Sequence, residues 1–364
     1  MAATTPGRVA HHVPVDPDPL PDPAAPPAVE LDGVTHRFGD VTALSDLSFE
    51  VPASQITVLL GPNGAGKTTA IRAITGALTP AVGRIRTFGL DPGPDGGLVR
   101  PRCGVVSAKP ALYDRLSGFD NLRYSARLYE VPEAVGRTRD HAALDALISE
   151  AAARFGIVDA LGHQVGGYST GMKTRLALAR AVLHRPDLLL FDEPTSGLDP
   201  ESSAAVLELI AQMPTEGRTV VMCTHLLAEA EGLADHVVVM EAGHAVVCGA
   251  PEEISRRYWP GARVLFDAEP ADQLDRMATW QGVTAYRRDD LADVTLDGLG
   301  RLPDLVASLV ADGVRLTRVE PRTPTLEDLY FAVRRERRSQ QPPASDTAPD
   351  AARATAVQPE EVPA

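Results

Sequence analysis

The stretch GPNGAGKTT, at Gly61–Thr69, constrains the fold of this chain more than any other feature. It matches the pattern G-x-x-x-x-G-K-[ST] and lies between the apolar run QITVLL (Gln55–Leu60) and a helical run that begins at Lys67. Glycines let successive backbone N–H groups converge on phosphate oxygens, and the N-terminus of the following helix adds a partial positive charge. The stretch therefore predicts a phosphate-binding loop between a buried strand and a helix, rather than a glycine turn beside a chance lysine.

Apolar runs of strand length alternate with helical patterns on both sides of this loop. The runs LLLF, TVVMC and HVVVM follow it along the chain, each separated from the next by a helical stretch. Such alternation predicts an α/β fold with a largely parallel sheet and helices on both faces. Between about residues 117 and 185 the pattern is almost entirely helical, which predicts a helical insertion into that sheet.

Composition divides the chain into four parts. Residues 1–27 and 339–364 are rich in proline and poor in large apolar side chains, which predicts disordered tails. The main domain is predicted to span residues 28–260, and a small C-terminal α/β domain residues 261–338. The net charge of −14 argues against a nucleic-acid partner. No run of eighteen apolar residues occurs in the sequence, so no membrane-spanning helix is expected.

Carboxylates and a histidine follow two of the apolar strands. Asp192 and Glu193 end the run LLLFDEP, where the first carboxylate can hold Mg²⁺ and the second can act as general base on an attacking water. Lys67 is predicted to reach the β- and γ-phosphates, while Thr68 supplies a hydroxyl ligand to Mg²⁺. An acidic pair that caps a helix is the alternative for DEP. His225 follows the run TVVMCT and either contacts a γ-phosphate or plays a structural role.

A second candidate anion site lies about a hundred residues after the loop. The sequence YSTGMK places Ser169, Thr170 and Gly171 before a stretch with core spacing that predicts a helix from about Thr170. A helix start with a small hydroxyl side chain and a glycine offers free N–H groups and the positive end of the helix dipole.

These motifs, in this order, resemble the ATP-binding cassette (ABC) ATPases over about residues 29–258. The resemblance implies a P-loop NTPase core, with antiparallel strands at its N-terminal side, that binds ATP with Mg²⁺. YSTGMK stands at the place of the family's signature sequence, and DEPTSGLDP at that of its Walker B motif and D-loop. The signature of one subunit then caps the γ-phosphate bound by its partner, so two anion sites per chain make two shared sites in a dimer.

The resemblance assigns roles to individual residues. Nucleotide contacts fall on three groups: the loop residues Gly61, Pro62, Asn63, Gly64, Ala65, Gly66, Lys67, Thr68 and Thr69; the signature residues Ser169, Thr170, Gly171 and Met172; and Asp199 of the D-loop. Catalysis is assigned to Lys67, Glu193 and His225, and metal binding to Thr68 and Asp192. Phe38 stands where family members stack an aromatic ring on adenine, an ordinary core phenylalanine being the alternative.

Two departures from the family pattern are present. Thr170 and Met172 replace residues of the commonest signature, LSGGQ, whereas Ser169 and Gly171 are retained. Ala108 stands where the family normally has a glutamine that approaches Mg²⁺ and links the site to the helical insertion. The second departure puts in question the coupling between the ATP site and the helical insertion more than nucleotide binding.

The predicted function is an ATP-hydrolysing subunit of a membrane exporter. We expect it to dimerise, with itself or with a second ATPase subunit, and to drive a separate integral-membrane permease from the cytoplasmic face of the cell membrane. The helical insertion is the expected docking surface, and TPTLEDLYFAVRRE (323–336) resembles the small C-terminal domain of drug- and lipid-exporter ATPases. The alternative is a cassette ATPase that acts on ribosomes or DNA, but those resemble tandem cassettes or cassettes split by long coiled coils.

Overall fold

The structure is a computed structural model that describes residues 26–131 and 141–340. The predicted tails therefore fall almost wholly outside the described residues. Within the described ranges, no helix is both long and apolar enough to span a membrane.

A six-stranded sheet forms the centre of the main domain, in the order β5-β6-β7-β3-β8-β9. Its first five strands run parallel, and β9 pairs antiparallel with β8. Every residue of β3, β6 and β7 is buried, which explains why these strands are continuous apolar runs. The strands are β3 (Ile56–Leu60), β5 (Cys103–Val106), β6 (Leu188–Asp192), β7 (Thr219–Thr224), β8 (His236–Glu241) and β9 (His244–Gly249).

A three-stranded antiparallel sheet lies at the N-terminal side, in the order β2-β1-β4. Its strands are β1 (Val29–Phe38), β2 (Val41–Val51) and β4 (Val82–Thr87). Buried side chains of this sheet, of helix α1 (Lys67–Ile74) and of the central strands share one apolar cluster. The predicted fold class, a P-loop NTPase core with N-terminal antiparallel strands, is confirmed.

Helices cover the central sheet and form the predicted insertion. The insertion carries α3 (Gly118–Leu128), α4 (His141–Arg154) and α5 (Thr170–Val182), which pack against one another. The other helices of the main domain are α1 (Lys67–Ile74), α2 (Gly96–Val99), α6 (Pro200–Ala211), α7 (Leu227–Ala230) and α8 (Pro251–Tyr258). Short 3₁₀ helices lie at Arg100–Arg102, Val158–Ala160, Val165–Gly167 and Pro214–Glu216.

The C-terminal part contains a separate four-stranded antiparallel sheet with its own apolar cluster. The strands, in the order β11-β12-β10-β13, are β10 (Ala262–Ala268), β11 (Val283–Arg288), β12 (Ala292–Leu296) and β13 (Leu316–Arg322). One face is covered by α9 (Leu302–Ala311) and a 3₁₀ helix at Ala271–Thr279, and another 3₁₀ helix lies at Leu299–Arg301. The predicted domain limits themselves stay a prediction.

The last helix, α10 (Leu326–Gln340), departs from the grouping expected from sequence. We expected it to belong with the C-terminal domain, but its buried face joins the apolar cluster of the main domain. Leu326, Leu329, Tyr330 and Val333 recur at helical spacing and pack near α7 and α8. An amphipathic pattern specifies that a helix must bury one face, and not which of two cores receives it.

Candidate nucleotide-binding site

The predicted phosphate loop connects the end of β3 to the start of α1. Gly66 is the N-cap of α1 and has a left-handed backbone, with φ of 103°. A Cβ atom at Gly66 would lie 2.6 Å from the carbonyl oxygen of Ala43, and one at Gly61 would lie 2.4 Å from that of Met240. Glycine is therefore required at both ends of the loop, because neighbouring backbone occupies the space of a side chain.

The side chain of Lys67 reaches back to the start of the loop. It is buried, and Nζ donates hydrogen bonds to the carbonyl oxygens of Gly61 at 2.6 Å and Pro62 at 3.2 Å. The ammonium group thus lies on the start of the loop that leads into α1, a helix whose first N–H groups lack partners within the helix. Two sources of positive charge converge on this point, as an anion site requires.

The structure brings Thr68 and Asp192 together from distant parts of the sequence. The hydroxyl of Thr68 donates a 2.7 Å hydrogen bond to Oδ2 of Asp192, which is the buried last residue of β6. A hydroxyl and a carboxylate oxygen are hard ligands of the kind that Mg²⁺ prefers. The described residues contain no cluster of three or more His, Cys, Asp or Glu side chains that could hold a metal. A metal at this point would take its remaining ligands from phosphate and water.

Glu193 and His225 meet at the ends of the neighbouring strands β6 and β7. Oε1 of Glu193 lies 3.1 Å from Nδ1 of His225, and both side chains are partly exposed. The backbone of Glu193 is left-handed, with φ of 52°, and its N–H donates to the carbonyl oxygen of Cys223 at 2.9 Å. A left-handed backbone at a residue other than glycine costs about 1–3 kcal/mol, and such strain is concentrated at functional sites. Here it directs the carboxylate out of the line of β6 towards the histidine.

A polar network that the sequence analysis missed lies behind this pair. Oε2 of Glu229, on α7, accepts hydrogen bonds from Thr195 at 2.7 Å and from Thr224 at 3.2 Å. It thereby ties the segment after β6 to the segment after β7. The only sequence signal was an acidic residue in the run LLAEAEG, which surface helices also carry.

Phe38 is the last residue of β1 and is 49% exposed. Its ring makes an edge-on contact with His36, with 4.7 Å between the ring centroids. This exposure contradicts the alternative of an ordinary core phenylalanine. Stacking on adenine stays a prediction.

The signature residues stand at the N-terminus of α5, as the sequence predicted. Ser169 is the N-cap, and its hydroxyl accepts a 3.2 Å hydrogen bond from the N–H of Met172. Ser169 and Thr170 are exposed. A Cβ atom at Gly171 would lie 3.6 Å from Oγ of Ser202 and 3.8 Å from Leu198, so this glycine is packed against the segment after β6.

Asp199 caps the adjacent helix α6. Its carboxylate accepts hydrogen bonds from the N–H of Ser202 at 2.9 Å and from its hydroxyl at 2.8 Å. These hydrogen bonds hold the pKa of Asp199 below its usual value. The predicted signature and D-loop residues thus border one surface, with two exposed helix N-termini side by side.

Ala108 lies just beyond β5 in an exposed loop. The hydroxyl of Ser107 donates to the carbonyl oxygen of Lys109 at 2.9 Å. Asn121 on α3 holds the later part of the loop, because its side chain both accepts from Tyr113 N–H at 2.9 Å and donates to its carbonyl oxygen at 3.1 Å. The loop is therefore fastened to the helical insertion.

Comparison with known proteins agrees with this geometry. The pattern of the ABC transporter family matches residues 44–196. ABC transporter ATP-binding protein NatA of Bacillus subtilis (strain 168) is 37% identical over 231 residues, or 62% of this chain and 91% of NatA. Daunorubicin resistance ATP-binding protein DrrA3 of Streptomyces coeruleorubidus is 33% identical over 308 residues, or 84% of this chain and 95% of DrrA3.

Solved structures support the same fold. An ATP-binding subunit of an ABC transporter superposes with a TM-score of 0.56 at 27% identity, covering 64% of this chain and 93% of that one. The dimeric cassette MJ0796, in a post-hydrolysis state bound to ADP and Pi, gives a TM-score of 0.55 at 21% identity over 61% of this chain and 98% of that one. These transporter names favour transport over an action on ribosomes or DNA. The chain belongs to the ATP-binding proteins of ABC transporters, which hydrolyse ATP to power transport.

Proposed function

We propose that this chain is the ATP-hydrolysing subunit of a two-component exporter and that its reaction centre lies at the carboxyl ends of β3, β6 and β7. One observation carries the assignment. The ends of these three adjacent strands bring Thr68 to Asp192 and Glu193 to His225, so a metal-binding pair and an acid–base pair stand beside a phosphate loop. Ligands of α/β sheets generally bind at this edge.

ATP binds through its phosphates in this proposal. The N–H groups of residues 61–69 surround the phosphate oxygens, and Lys67 exchanges its contacts with the loop carbonyls for the β- and γ-phosphates. Phe38 offers its exposed ring to adenine, and such stacking contributes about 0.5–1.5 kcal/mol beyond the area buried.

Thr68 and Asp192 hold Mg²⁺ in the proposed site. Mg²⁺ supplies charge neutralisation at the β- and γ-phosphate oxygens when bound. Asp192 stays in place because it ends a fully buried strand.

Glu193 serves as general base for the attacking water. Its carboxylate accepts a proton from the water as the water oxygen attacks the γ-phosphorus and the bond to the bridging oxygen breaks, so that ADP leaves; His225 orients that carboxylate from 3.1 Å. The outward direction imposed by the left-handed backbone of Glu193 points the base away from the sheet.

Two copies of the cassette share their sites. Ser169, Thr170, Gly171 and Met172 contact the γ-phosphate bound by the partner, and Asp199 contacts the partner across the interface. The partner is a second copy of this chain or a second ATPase subunit. The exposed N-terminus of α5 supports this arrangement, because it offers free N–H groups to an anion, and Asp199 occupies the N-cap of α6 beside it.

A groove between the Ala108 loop and α3 is the proposed docking site for the permease. Its cavity has a volume of about 200 Å³, and its rim exposes Tyr113, Tyr124 and Leu128. Arg180 lines the groove and donates to the carbonyl oxygen of Ala111; burial lowers its pKa. An exposed aromatic and aliphatic rim around a half-buried cation fits a short amphipathic segment of a membrane protein with an acidic or carbonyl-rich end.

The names of relatives support export as the direction of transport. DrrA3 is named for daunorubicin resistance, and the Nod factor export ATP-binding protein I of Rhizobium meliloti is 38% identical over 63% of this chain and 67% of its own length. We place the chain at the cytoplasmic face of the cell membrane, bound to its permease.

Mixing two inactive variants tests the shared sites. Lys67→Ala weakens phosphate binding, and Gly171→Asp places a carboxylate against the partner's γ-phosphate. In a mixed dimer, one site contains both lesions and the other contains neither. We expect each variant alone to be inactive and the mixture to recover part of the phosphate release. Absence of recovery in heterodimers verified by two affinity tags would contradict the shared arrangement.

Co-purification from detergent-solubilised membranes tests the docking groove. We expect a multispanning partner with the wild-type chain and much less of it with Leu128→Arg. Val310→Arg on α9 is the matched control, because Val310 is a similarly exposed aliphatic residue away from the groove. Equal recovery with both variants would contradict the groove assignment.

A further inference from the structure

Helix α10 is fastened to the ATPase core at both of its ends as well as along its apolar face. At its N-terminus, the N–H of Leu326 donates a 2.7 Å hydrogen bond to Oε2 of Glu231, just after α7. Near its C-terminus, Nε of Arg334 lies 3.4 Å from Oε1 of Glu241, and Nη1 of Arg337 lies 3.5 Å from Oε2. A carboxylate at the start and cations near the end both complement the helix dipole.

Glu241 begins the tight turn between β8 and β9. Ala242 and Gly243 follow with left-handed backbones, at φ of 49° and 81°. Glu241 pairs with His244 across the turn, so the turn has two central residues. Two consecutive residues with positive φ fix a short hairpin turn in one geometry.

This turn is built against the phosphate loop. The N–H of Gly243 donates to the carbonyl oxygen of Ala65 at 3.0 Å, and the carbonyl oxygen of Gly243 accepts from the N–H of Ser45 at 3.0 Å. A Cβ atom at Gly243 would lie 2.9 Å from the carbonyl oxygen of Ala43. Turn, loop and β2 are therefore in direct backbone contact, with no side chain between them to absorb a displacement.

The other end of the loop rests on the same strand. The carbonyl oxygen of Met240, the residue before Glu241, lies 2.4 Å from the position that a Cβ atom of Gly61 would take. Met240 and Gly243 thus contact the first and the last part of the loop. A shift of the Glu241 turn changes the spacing of the N–H groups that the loop presents.

We propose that Glu241, held by Arg334 and Arg337 of α10, is a positioning residue for the phosphate loop and that α10 thereby sets the affinity of the site for ATP. The inference rests on the proposed function in one respect, namely that residues 61–69 bind the phosphates. Arg334 and Arg337 hold the Glu241 carboxylate in position. The carboxylate in turn holds the position of the hairpin turn, which packs against the phosphate loop. None of the three side chains touches the nucleotide.

The expected effect is moderate because the ion pairs are partly exposed. The side chains of Glu241, Arg334 and Arg337 are 30%, 31% and 28% exposed. A single ion pair of this kind contributes little free energy. We therefore expect removal of both the Arg334 pair and the Arg337 pair to raise the Kd for MgATP by about three- to tenfold.

The test compares charge-neutral variants of full-length protein. Glu241→Gln keeps the side-chain size and removes the charge, whereas the double variant Arg334→Gln/Arg337→Gln removes both cations and shortens their side chains. We expect both to raise the Kd for a fluorescent ATP analogue and the KM for ATP together, while kcat changes by less than about twofold. The melting temperature without nucleotide is expected to fall by no more than about 4 °C.

Two matched variants separate this role from a general loss of charge. Arg335→Gln removes a cation from the same helix, but among the described residues the Arg335 side chain hydrogen-bonds to the carbonyl oxygen of Phe331 in its own helix and not to Glu241. We expect wild-type Kd and KM for this control. The reversed set Glu241→Lys with Arg334→Glu and Arg337→Glu is expected to return the Kd to within about twofold of wild type, because opposite charges again face each other.

Lys67→Ala distinguishes a failure of this inference from a failure of the proposed site. If Lys67→Ala loses ATP affinity while Glu241→Gln and the double variant bind as tightly as Arg335→Gln, the loop assignment stands and the positioning role is wrong. The role is equally wrong if the Glu241 variants only lower the melting temperature, or if charge reversal restores nothing. If Lys67→Ala itself binds MgATP normally, the phosphate loop is not the site, and both proposals fail.

Discussion

The contact between Glu193 and His225 makes a quantitative prediction for hydrolysis. Glu193→Gln keeps the side-chain shape and removes the group that accepts a proton. His225→Ala removes the ring that orients the carboxylate from 3.1 Å. Measured singly and together, the two substitutions show whether the residues act as one unit.

The magnitudes follow from the roles of the two groups. Loss of a positioned general base lowers the rate by about 10²–10⁴-fold, which is about 3–5 kcal/mol of activation free energy. A hydrogen bond to a charged group contributes about 1.5–3 kcal/mol, so His225→Ala is expected to cost about 10–10²-fold. In the double variant, His225 has no carboxylate to orient, and we expect a rate within about threefold of Glu193→Gln alone.

Phosphate release at saturating MgATP is the assay, with nucleotide affinity measured separately. We expect normal affinity in Glu193→Gln and, because turnover is blocked, a dimer that accumulates with ATP in size-exclusion chromatography. Hydrolysis by Glu193→Gln at the wild-type rate would remove Glu193 from the mechanism. A double variant slower by the product of the two single effects would refute the idea that His225 works through Glu193.

Three further predictions address single positions. Ala108→Gln is expected to raise the ATPase rate of the isolated chain several-fold, since it restores the glutamine that the family normally has at this position; an unchanged rate in phosphate-release assays would contradict this. Gly61→Ala is expected to lower the free energy of unfolding by about 1–3 kcal/mol and the ATP affinity at least tenfold, because its Cβ atom meets a backbone carbonyl. Gly97→Ala on α2 is the control, because its Cβ atom meets nothing within 4 Å. Urea unfolding and ATP titration measure both variants. Asp199→Ala is expected to lower the urea midpoint at pH 7. Because the folded-state pKa of Asp199 is depressed, that difference is complete above the carboxylate's usual pKa and disappears as pH falls through the lower folded value.

Much of the main domain could be predicted because its signals are local. The parallel strands β3, β6 and β7 are buried on both faces and are therefore continuous apolar runs, and Gly61–Thr69 must join a strand to a helix. Ser169 caps α5 directly before Thr170, where the sequence predicted the helix to begin, since a hydroxyl before a periodic apolar stretch is a local start signal for a helix. Motif order then placed Asp192, Glu193 and His225 at one edge of the sheet, where the structure finds them.

Other features depend on contacts between distant segments and could not be predicted in the same way. The apolar face of α10 fits a core of either domain, and only the folded chain shows that Val333 packs against the main one. In the sequence, Glu241 is indistinguishable from any acidic residue in a hairpin turn. Only the folded chain shows that it pairs with Arg334 and Arg337, which lie almost a hundred residues later. The left-handed backbone of Glu193 has no sequence signature, because a conformation imposed by neighbouring strands is not a preference of the residue.

The Ala108 loop remains connected to the helical insertion although it lacks the family's glutamine, so the connection between the permease-docking groove and the ATP site changes but is not lost. Ala108 supplies no polar side chain at the family's glutamine position; beside it, the Ser107 hydroxyl donates within the loop and Lys109 is exposed. The loop is nevertheless tied to the insertion, by Asn121 of α3 and by a 3.1 Å ion pair between Asp114 of the loop and Lys173 beside the signature. A permease segment that enters the groove beside α3 therefore acts on a loop whose other attachment is the signature helix. In this chain, we expect permease binding to affect the ATP site mainly through the signature, which faces the partner subunit, and less through a metal ligand on the Ala108 loop.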